Sequence, residues 1–411
     1  MAEPVRVAFV LGTSAGGVGR HVAMLAGGLV ERGARVVVAG PAATEESFGF
    51  GRLGARFTPV PISDRPRPRD DLRALSRLRT LRGAGVVHAH GLRAGALAAL
   101  ALAGTGTPLV VTLHNAATAG GAVGAVHAAL ARIVARRADR VLVVSADLGE
   151  RMRRLGARHV TAAVVPAPPL SPSGLPPARV RAELGVGERP ILLTVARLAQ
   201  QKGLETLLDV AAAFAAGAGE GRGPERPAAG EEWRPEHPVT GEEQGPEPSA
   251  AGEERGPVFL VAGEGPLRGP LRERIEREGL PVRLLGDRGD VADLLAVARA
   301  LLVPSRWEGQ PLTVQEALRA GVPVVATAVG GLPDMVGEAG LLVPYGDAGA
   351  MREAVARVLA DDGLTRDLGR AAALRGRALP GRREAVEAAL AVYRALSGGG
   401  GGAEQPTTPD R

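Results

Sequence analysis

The sequence predicts an α/β protein built from two doubly wound parallel-sheet domains that face each other across a cleft. Three observations predict it. Continuous apolar runs alternate with helical patterns along most of the chain, as in sheets covered on both faces. A proline-rich stretch, PAPPLSPSGLPP at 166–177, interrupts that alternation once, after which it restarts. The length, 411 residues with 45% hydrophobic content, exceeds one ordinary core and suffices for two.

Taken in order, Val5–Leu11 is an apolar run broken only by Arg6, followed by GTSAGGVGRHV and a helix to about Arg32. ARVVVAG (34–40) is the second strand, and a helix over Asp71–Arg82 leads to the strand GVVHAHG (85–91). An alanine-rich helix, the strand TPLVVTLHN (107–115), a helix from Ala122 to Arg137 and the strand ADRVLVVSA (138–146) follow. These define a first domain over 1–168. The second, over 169–375, has strands in RPILLTVAR (189–197), PVFLVAG (257–263), PVRLLG (281–286), ALLVPS (300–305), PVVATAVGG (323–331) and GLLVP (340–344). Its helices fall over Leu204–Ala216, Leu267–Glu278, Val291–Arg299 and the stretch after Pro311. A terminal helix is expected over 380–397, free to pack on either domain, and the Gly-rich tail 398–411 is expected to be disordered.

Residues 217–256 break the pattern of the second domain. From 218 they fall into rows of eleven, with Gly-Glu at 219, 230, 241 and 252 and Pro-Glu at 224, 235 and 246. The recurring prolines forbid a long helix, and the segment holds ten Glu against four Arg with little to bury. It is predicted to be a disordered acidic insertion. AGEG at 262–265 continues the period at the end of an apolar strand, so the repeats read as tandem copies of a strand-end turn.

Composition narrows the function. Cysteine is absent, which excludes disulfides and thiolate metal sites. The net charge is +6, and about +12 without the acidic insertion. That basicity points to phosphate-bearing ligands or an anionic membrane surface. No nucleic-acid partner is expected, the weakest of the three readings: aromatics are 2%, stacking platforms are nearly absent, and no helix-turn-helix or zinc-finger spacing occurs. No signal peptide and no apolar stretch of membrane-spanning length is read, so the expected location is the cytoplasm.

The candidate chemistry lies at strand ends, where open α/β sheets place ligands. GGVGRHV (16–22) puts Gly16 and Gly17 between the first strand and its helix, where amide N–H groups and a helix N-terminus favour an anion. VARLAQQKG (195–203) sets Arg197 and Lys202 around a strand-to-helix loop, a pairing suited to a diphosphate. His88, His90 and His114 close two strands of the first domain without a spacing that would make a metal site. In the second domain GEGP (263–266), GDRGDV (286–291), SRWEGQP (305–311) and VGGLP (329–333) converge on one rim.

Together these motifs resemble the retaining glycosyltransferases of the GT-B fold, family 4, which carry an E-x7-E signature. GGVGRHV, VVHAH, VVTLH, VLVVS, VARLAQQKG, VAGEGP, Asp290-Val291, PSRWEGQPLTVQEALRAGVPVVAT and VGG occur in the family's order. The resemblance implies two Rossmann-like domains and transfer of a sugar from a nucleotide-diphosphate donor, UDP or GDP, with retention and without metal or cofactor. It implies Arg197 and Lys202 on the diphosphate, Glu308 by the sugar hydroxyls, Glu316 by the ribose and Gly17 on a donor phosphate. It also implies His114 near the transferred sugar and Gly263 and Gly265 near the base. Gly16, Asp290, Gly309 and Gln310 fall within matching motifs and join the donor-binding set. Gln310 and Ala196 depart from the residues frequent there, and Gln310 is expected to offer hydrogen bonds to the sugar. Pro311 suits the first turn of the helix that follows and Gly321 its end, so Glu308 lies ahead of it and Glu316 inside it, as separate acceptors and not a dyad.

An epimerase of the same fold would need a carboxylate cluster at the first domain's strand ends, which the sequence lacks. A non-catalytic sugar-nucleotide-binding protein is the alternative. The acceptor, whether a small molecule, lipid-linked or a glycan, would be bound by first-domain loops expected around 41–70 and 116–124, which carry no readable motif. HAALARIVARRADR (127–140) spaces Arg132, Arg136 and Arg140 as one basic stripe, which marks an anionic cytoplasmic membrane face as a candidate partner.

Overall fold

The computed structural model describes residues 4–14, 16–116, 121–220 and 256–397. The acidic repeats and the C-terminal tail, both expected to be disordered, lie outside the described residues but for the ends of the insertion. The first lobe begins with β1 (Arg6–Leu11) and α1 (Gly17–Val30), then β2 (Arg35–Gly40), α2 (Ala42–Phe48), β3 (Arg56–Pro59) and α3 (Pro68–Arg79). β4 (Val86–His90), α4 (Leu92–Ala101), β5 (Leu109–Leu113), α5 (Gly121–Arg137), β6 (Arg140–Val143), α6 (Ala146–Arg154) and β7 (Val160–Ala162) complete it. All seven strands are parallel, in the order β3-β2-β1-β4-β5-β6-β7. Every residue of β4 and β5 is buried, which is why those strands read as unbroken apolar runs around their histidines and threonine.

The second lobe runs α7 (Pro177–Leu184), β8 (Ile191–Val195), α8 (Leu204–Glu220), β9 (Val258–Ala262), α9 (Arg268–Glu278), β10 (Val282–Gly286), α10 (Val291–Val297) and β11 (Ala300–Val303). α11 (Leu312–Arg319), β12 (Val324–Thr327), α12 (Leu332–Val336), β13 (Gly340–Val343), α13 (Ala348–Ala360) and α14 (Asp362–Ala378) follow. Its six parallel strands lie in the order β10-β9-β8-β11-β12-β13. Successive strand residues serve opposite faces: Ile191 and Leu193 pack into one core cluster, Leu192 into the other.

Both sheets reverse direction between their first strand and its later neighbour, at β1/β4 and at β8/β11. The loops leaving β1, β4, β8 and β11 therefore flank the two crevices in which such sheets bind ligands. The motifs GGVGRHV, VVHAH, VARLAQQKG and SRWEGQP occupy those four loops and strand ends.

Three expectations are corrected. The region 41–70 is not simply loop: it holds α2 and the edge strand β3, whose RFTP sequence is too short and too polar to signal a strand. The basic stripe on α5 is broken, because the helix ends at Arg137 and Arg140 begins β6, in register with Val110. Pro311 stands as the N-cap of α11, one residue ahead of its expected place in the first turn. The terminal helix, α15 (Arg382–Ser397), packs on the first lobe, with Ala385, Val386, Ala389, Leu390 and Tyr393 inside that lobe's core.

Candidate active site

Four loops meet where the lobes face. Gly17, at the start of α1, approaches the start of α11: a Cβ there would lie 3.6 Å from Leu312 Cδ1, while Gly16 faces open space. One turn further along α1, the exposed Arg20 contributes positive field at Glu316 on α11. Glu316 is half-buried; burial raises its pKa, and Arg20 and Arg319 oppose that rise.

The β8 loop supplies the cations. Arg197 is exposed, and its side chain has no hydrogen bond or ion pair among the described residues. Lys202 sits just before α8, and its Nζ lies 2.6 Å from Oε1 of Glu308. Glu308 is 5% exposed, and the same oxygen accepts a 2.6 Å hydrogen bond from Ser305 Oγ. Ser305 is fixed in turn by Thr327 Oγ1, which donates to its carbonyl at 2.6 Å. The β8 and β11 loops are stitched together twice more, by Gln201 Nε2 to Trp307 O at 3.0 Å and Arg306 N to Gln201 O at 2.9 Å. Lys202 and Glu308, expected to act separately, are thus one ion pair. A buried carboxylate held this way is both desolvated and compensated.

Glycines set the spacing. At Gly309 a Cβ would fall 2.3 Å from Val144 Cγ2 and 3.3 Å from the His114 carbonyl, so only glycine lets the two lobes meet there. Gly263, at φ +136°, lies so close to Ala196 O that a Cβ would be 2.0 Å away, and its N–H donates to Gly286 O at 2.6 Å. Gly265 packs on the backbone of Leu198, which brings the β9 turn against the loop that carries Arg197.

On the first-lobe side, four histidines are packed together. His90 Nδ1 and His114 Nε2 are 3.0 Å apart, and His21 sets its ring edge-on to both. His88 is sealed beneath them, its Nδ1 2.6 Å from Tyr393 OH and its Nε2 2.7 Å from Thr112 Oγ1. Burial drives all four pKa values down, to about 3 for His88 and about 4 for His114. His114 therefore meets the cleft as a neutral imidazole. Among the described residues, no three His, Cys, Asp or Glu are grouped to hold a metal ion.

Two members of the expected set are spent elsewhere. Gln310 does not offer its amide to the cleft: Nε2 donates to Ala163 O at 2.8 Å and Oε1 accepts from Val165 N at 3.0 Å. Asp290 pairs through both oxygens with Arg288, which holds its pKa down, and lines a separate cavity of about 90 Å³ with Glu183 and Asp293. Sequence reasoning missed Ser305, Arg20 and Asp147, the last of which accepts the Trp307 indole N–H at 2.8 Å from the other lobe. Ser305 and Arg20 lay inside quoted motifs. Nothing in the sequence linked positions 147 and 307.

Two facing parallel α/β lobes with a cationic, glycine-lined cleft define the GT-B class. Solved structures agree: HepE from Anabaena in complex with UDP superposes with a TM-score of 0.73 at 18% identity, covering 95% of this chain and 100% of that one. Sucrose-phosphate synthase from Thermosynechococcus elongatus gives 0.72 at 20% identity, covering 95% and 99%. Residues 16–168 match the glycosyl transferase 4-like domain family, and residues 248–361 match the glycosyl transferases group 1 family. Each lobe is thus similar to one of these two glycosyltransferase families. Among curated relatives, 2-deoxystreptamine N-acetyl-D-glucosaminyltransferase of Streptomyces fradiae is 31% identical over 294 residues, 67% of this chain and 61% of that protein. The lipopolysaccharide core biosynthesis mannosyltransferase LpsB of Rhizobium meliloti is 36% identical over 152 residues, 33% and 42% of the two chains. Each alignment spans less than two thirds of the curated relative.

Proposed function

We propose that the protein transfers a sugar from a nucleotide-diphosphate sugar to an acceptor, with retention of configuration and without a metal ion. The observation that carries this reading is the unpaired Arg197 beside the Lys202–Glu308 ion pair, at the mouth of the β8/β11 crevice and opposite the glycine turn of α1. A diphosphate seated between Arg197, Lys202 and the amides at Gly16 and Gly17 would have its leaving charge stabilised by fixed cations and dipoles. Lys202 has three N–H groups and spends one on Glu308, so two remain for phosphate oxygens. Glu308 accepts from sugar hydroxyls, Glu316 from the ribose, and neutral His114 hydrogen-bonds the sugar from the opposite lobe. The turns at Gly263 and Gly265 border the base. The departing phosphate assists deprotonation of the acceptor on the same face, so no protein nucleophile is invoked.

HepE has been solved with UDP and with UDP-glucose, which makes UDP the first nucleotide to test. Calorimetry with UDP, GDP and ADP, followed by nucleotide release from a panel of sugar donors, tests the proposal. Tight nucleotide binding without release, whatever acceptor is supplied, would favour the non-catalytic binding protein. α5 exposes Arg132, Arg136 and Arg137, and Val123 and Val126 earlier along the helix, and this helix is proposed to lie on an anionic membrane. Sedimentation with anionic liposomes that is unaffected by replacing the three arginines with glutamate removes that part of the reading.

A further inference from the structure

We infer that Asp147, in the lobe opposite Glu308, is a positioning residue that sets the Glu308 loop through the indole of Trp307. The inference rests on the role proposed above for Glu308. The loop Arg306–Gly309 belongs to the second lobe by sequence, yet Trp307 is 6% exposed and is counted in the core of the first lobe. Its Nε1–H donates to Asp147 Oδ2 at 2.8 Å, in the first turn of α6. Two residues on, Gly309 lies against Val144 and the His114 carbonyl closely enough that a Cβ would clash. Behind the loop, Gly331 N donates to Glu308 O at 2.9 Å, and Gly331 itself lies against the carbonyls of Gly309 and Val144. The loop is therefore clamped between the strand ends of the first lobe and the glycine turn before α12.

Glu308 sits between Trp307 and Gly309, the two residues that touch the first lobe. Its side chain is fixed from the second lobe by Lys202 and Ser305, while its backbone is held by contacts that include the first. Any change in the angle between lobes must either carry this loop with α6 or break the indole bond. A buried indole N–H has no second acceptor among the described residues, so loss of Asp147 leaves it unsatisfied and frees the loop to shift. Catalysis that depends on placing a carboxylate at sugar hydroxyls is sensitive to such shifts. The diphosphate contacts proposed for Arg197 and Lys202 come from the β8 loop, which bonds the Trp307 carbonyl through Gln201 and not the indole.

The test uses the full chain with Asp147→Leu, Asp147→Asn, Trp307→Phe and the Asp147→Leu/Trp307→Phe double variant. The sequence has two tryptophans, so the Trp307 indole N–H resonance is assigned by its loss in Trp307→Phe. Asp147→Leu is expected to shift that resonance and speed its exchange with solvent, to lower kcat about tenfold, and to leave UDP affinity within about twofold. Asp147→Asn retains an acceptor oxygen and is expected to recover most of the activity. The double variant is expected to be no slower than the slower single one, because both remove the same bond. An indole resonance unmoved by Asp147→Leu, an unchanged kcat, or additive losses in the double variant would overturn the inference. If the wild type turns over no donor, the proposed function fails, and the indole exchange still decides whether Asp147 holds the loop.

Discussion

At the scale of single residues, the division of labour between the two glutamates is the sharpest consequence of the geometry. Glu308 Oε1 receives both Lys202 Nζ and Ser305 Oγ, which leaves its second oxygen as the free acceptor of a buried, charged group. Glu308→Gln removes the countercharge of Lys202 and weakens acceptance from sugar hydroxyls. Steady-state kinetics is expected to show kcat falling about 100-fold with donor KM changed only a few-fold. The Glu316 carboxyl has no hydrogen bond among the described residues and is shaped by burial, with Arg20 and Arg319 favouring its charge. Its carboxyl takes a proton at higher pH than an ordinary glutamate, and a protonated group accepts ribose hydroxyls less well. Donor binding is thus expected to weaken as pH falls, from above the usual carboxylate range. In Glu316→Gln the donor KM should rise about tenfold and that acid limb should flatten. An acid limb that survives in Glu316→Gln sinks this assignment.

At the scale of elements, the histidine layer at the ends of β4 and β5 makes the first lobe pH-sensitive. An ordinary histidine titrates near 6.5, whereas His88 stays neutral down to about 3 because burial penalises the cation. The unfolded chain therefore binds protons that the folded chain excludes. Stability is whole above pH 6.5 and is lost as pH falls toward 3, by up to about 1.4 kcal/mol per pH unit for each such histidine. Thermal melts at a series of pH values are expected to show that steep fall, and a flat Tm between pH 6.5 and 5 would contradict it. α15 supplies the phenol that satisfies His88 Nδ1, so Tyr393→Phe leaves a buried ring nitrogen unpaired and should cost about 1–2 kcal/mol at neutral pH. Much of this layer was legible in the sequence, because strand ends in a parallel sheet point to one rim, and the apolar runs and glycine turns located those ends. The order of the motifs then placed Arg197, Lys202 and Glu308 on neighbouring strand-end loops of the second lobe and Glu316 on the helix that follows. Contacts that depend on how two lobes dock were not legible. Gln310 looked like a sugar contact because its neighbours in sequence are, and the second lobe's rim gave no sign that its amide turns to Ala163 and Val165. The docking of α15 was open for the same reason: an amphipathic helix shows a sticky face but not its partner.

At the scale of the whole molecule, the chain crosses between lobes twice, and α11 holds both crossings. In the first, residues 163–167 run beside two glutamine amides that pair with them as a neighbouring strand would. Gln310 takes Ala163 O and Val165 N, and Gln315 takes Val165 O at 2.8 Å and Ala167 N at 2.9 Å. Arg319 continues the ladder, donating to Ala167 O at 2.7 Å, and its other nitrogen reaches Pro380 O at 3.1 Å in the second crossing. α11 also carries Glu316, so the hinge and the donor cleft share one eight-residue helix. The acidic repeats, by contrast, fall in the sequence between α8 and β9, and deletion of 218–255 is expected to leave turnover unchanged in the donor assay. Gln315 is 2% exposed, so Gln315→Leu keeps its volume but strands two backbone groups at the crossing. That should lower unfolding stability by about 3 kcal/mol, since each buried unsatisfied group costs about 1–3 kcal/mol. It should also loosen the angle between lobes without unfolding either. Small-angle scattering is expected to show a larger radius of gyration for Gln315→Leu than for wild type, with circular dichroism unchanged and with saturating UDP reversing the difference. An unchanged radius would mean that the lobes are set by the Trp307 and Gly309 contacts alone. A radius that UDP cannot restore would mean that the ladder is needed to form the cleft, and not only to hold its angle.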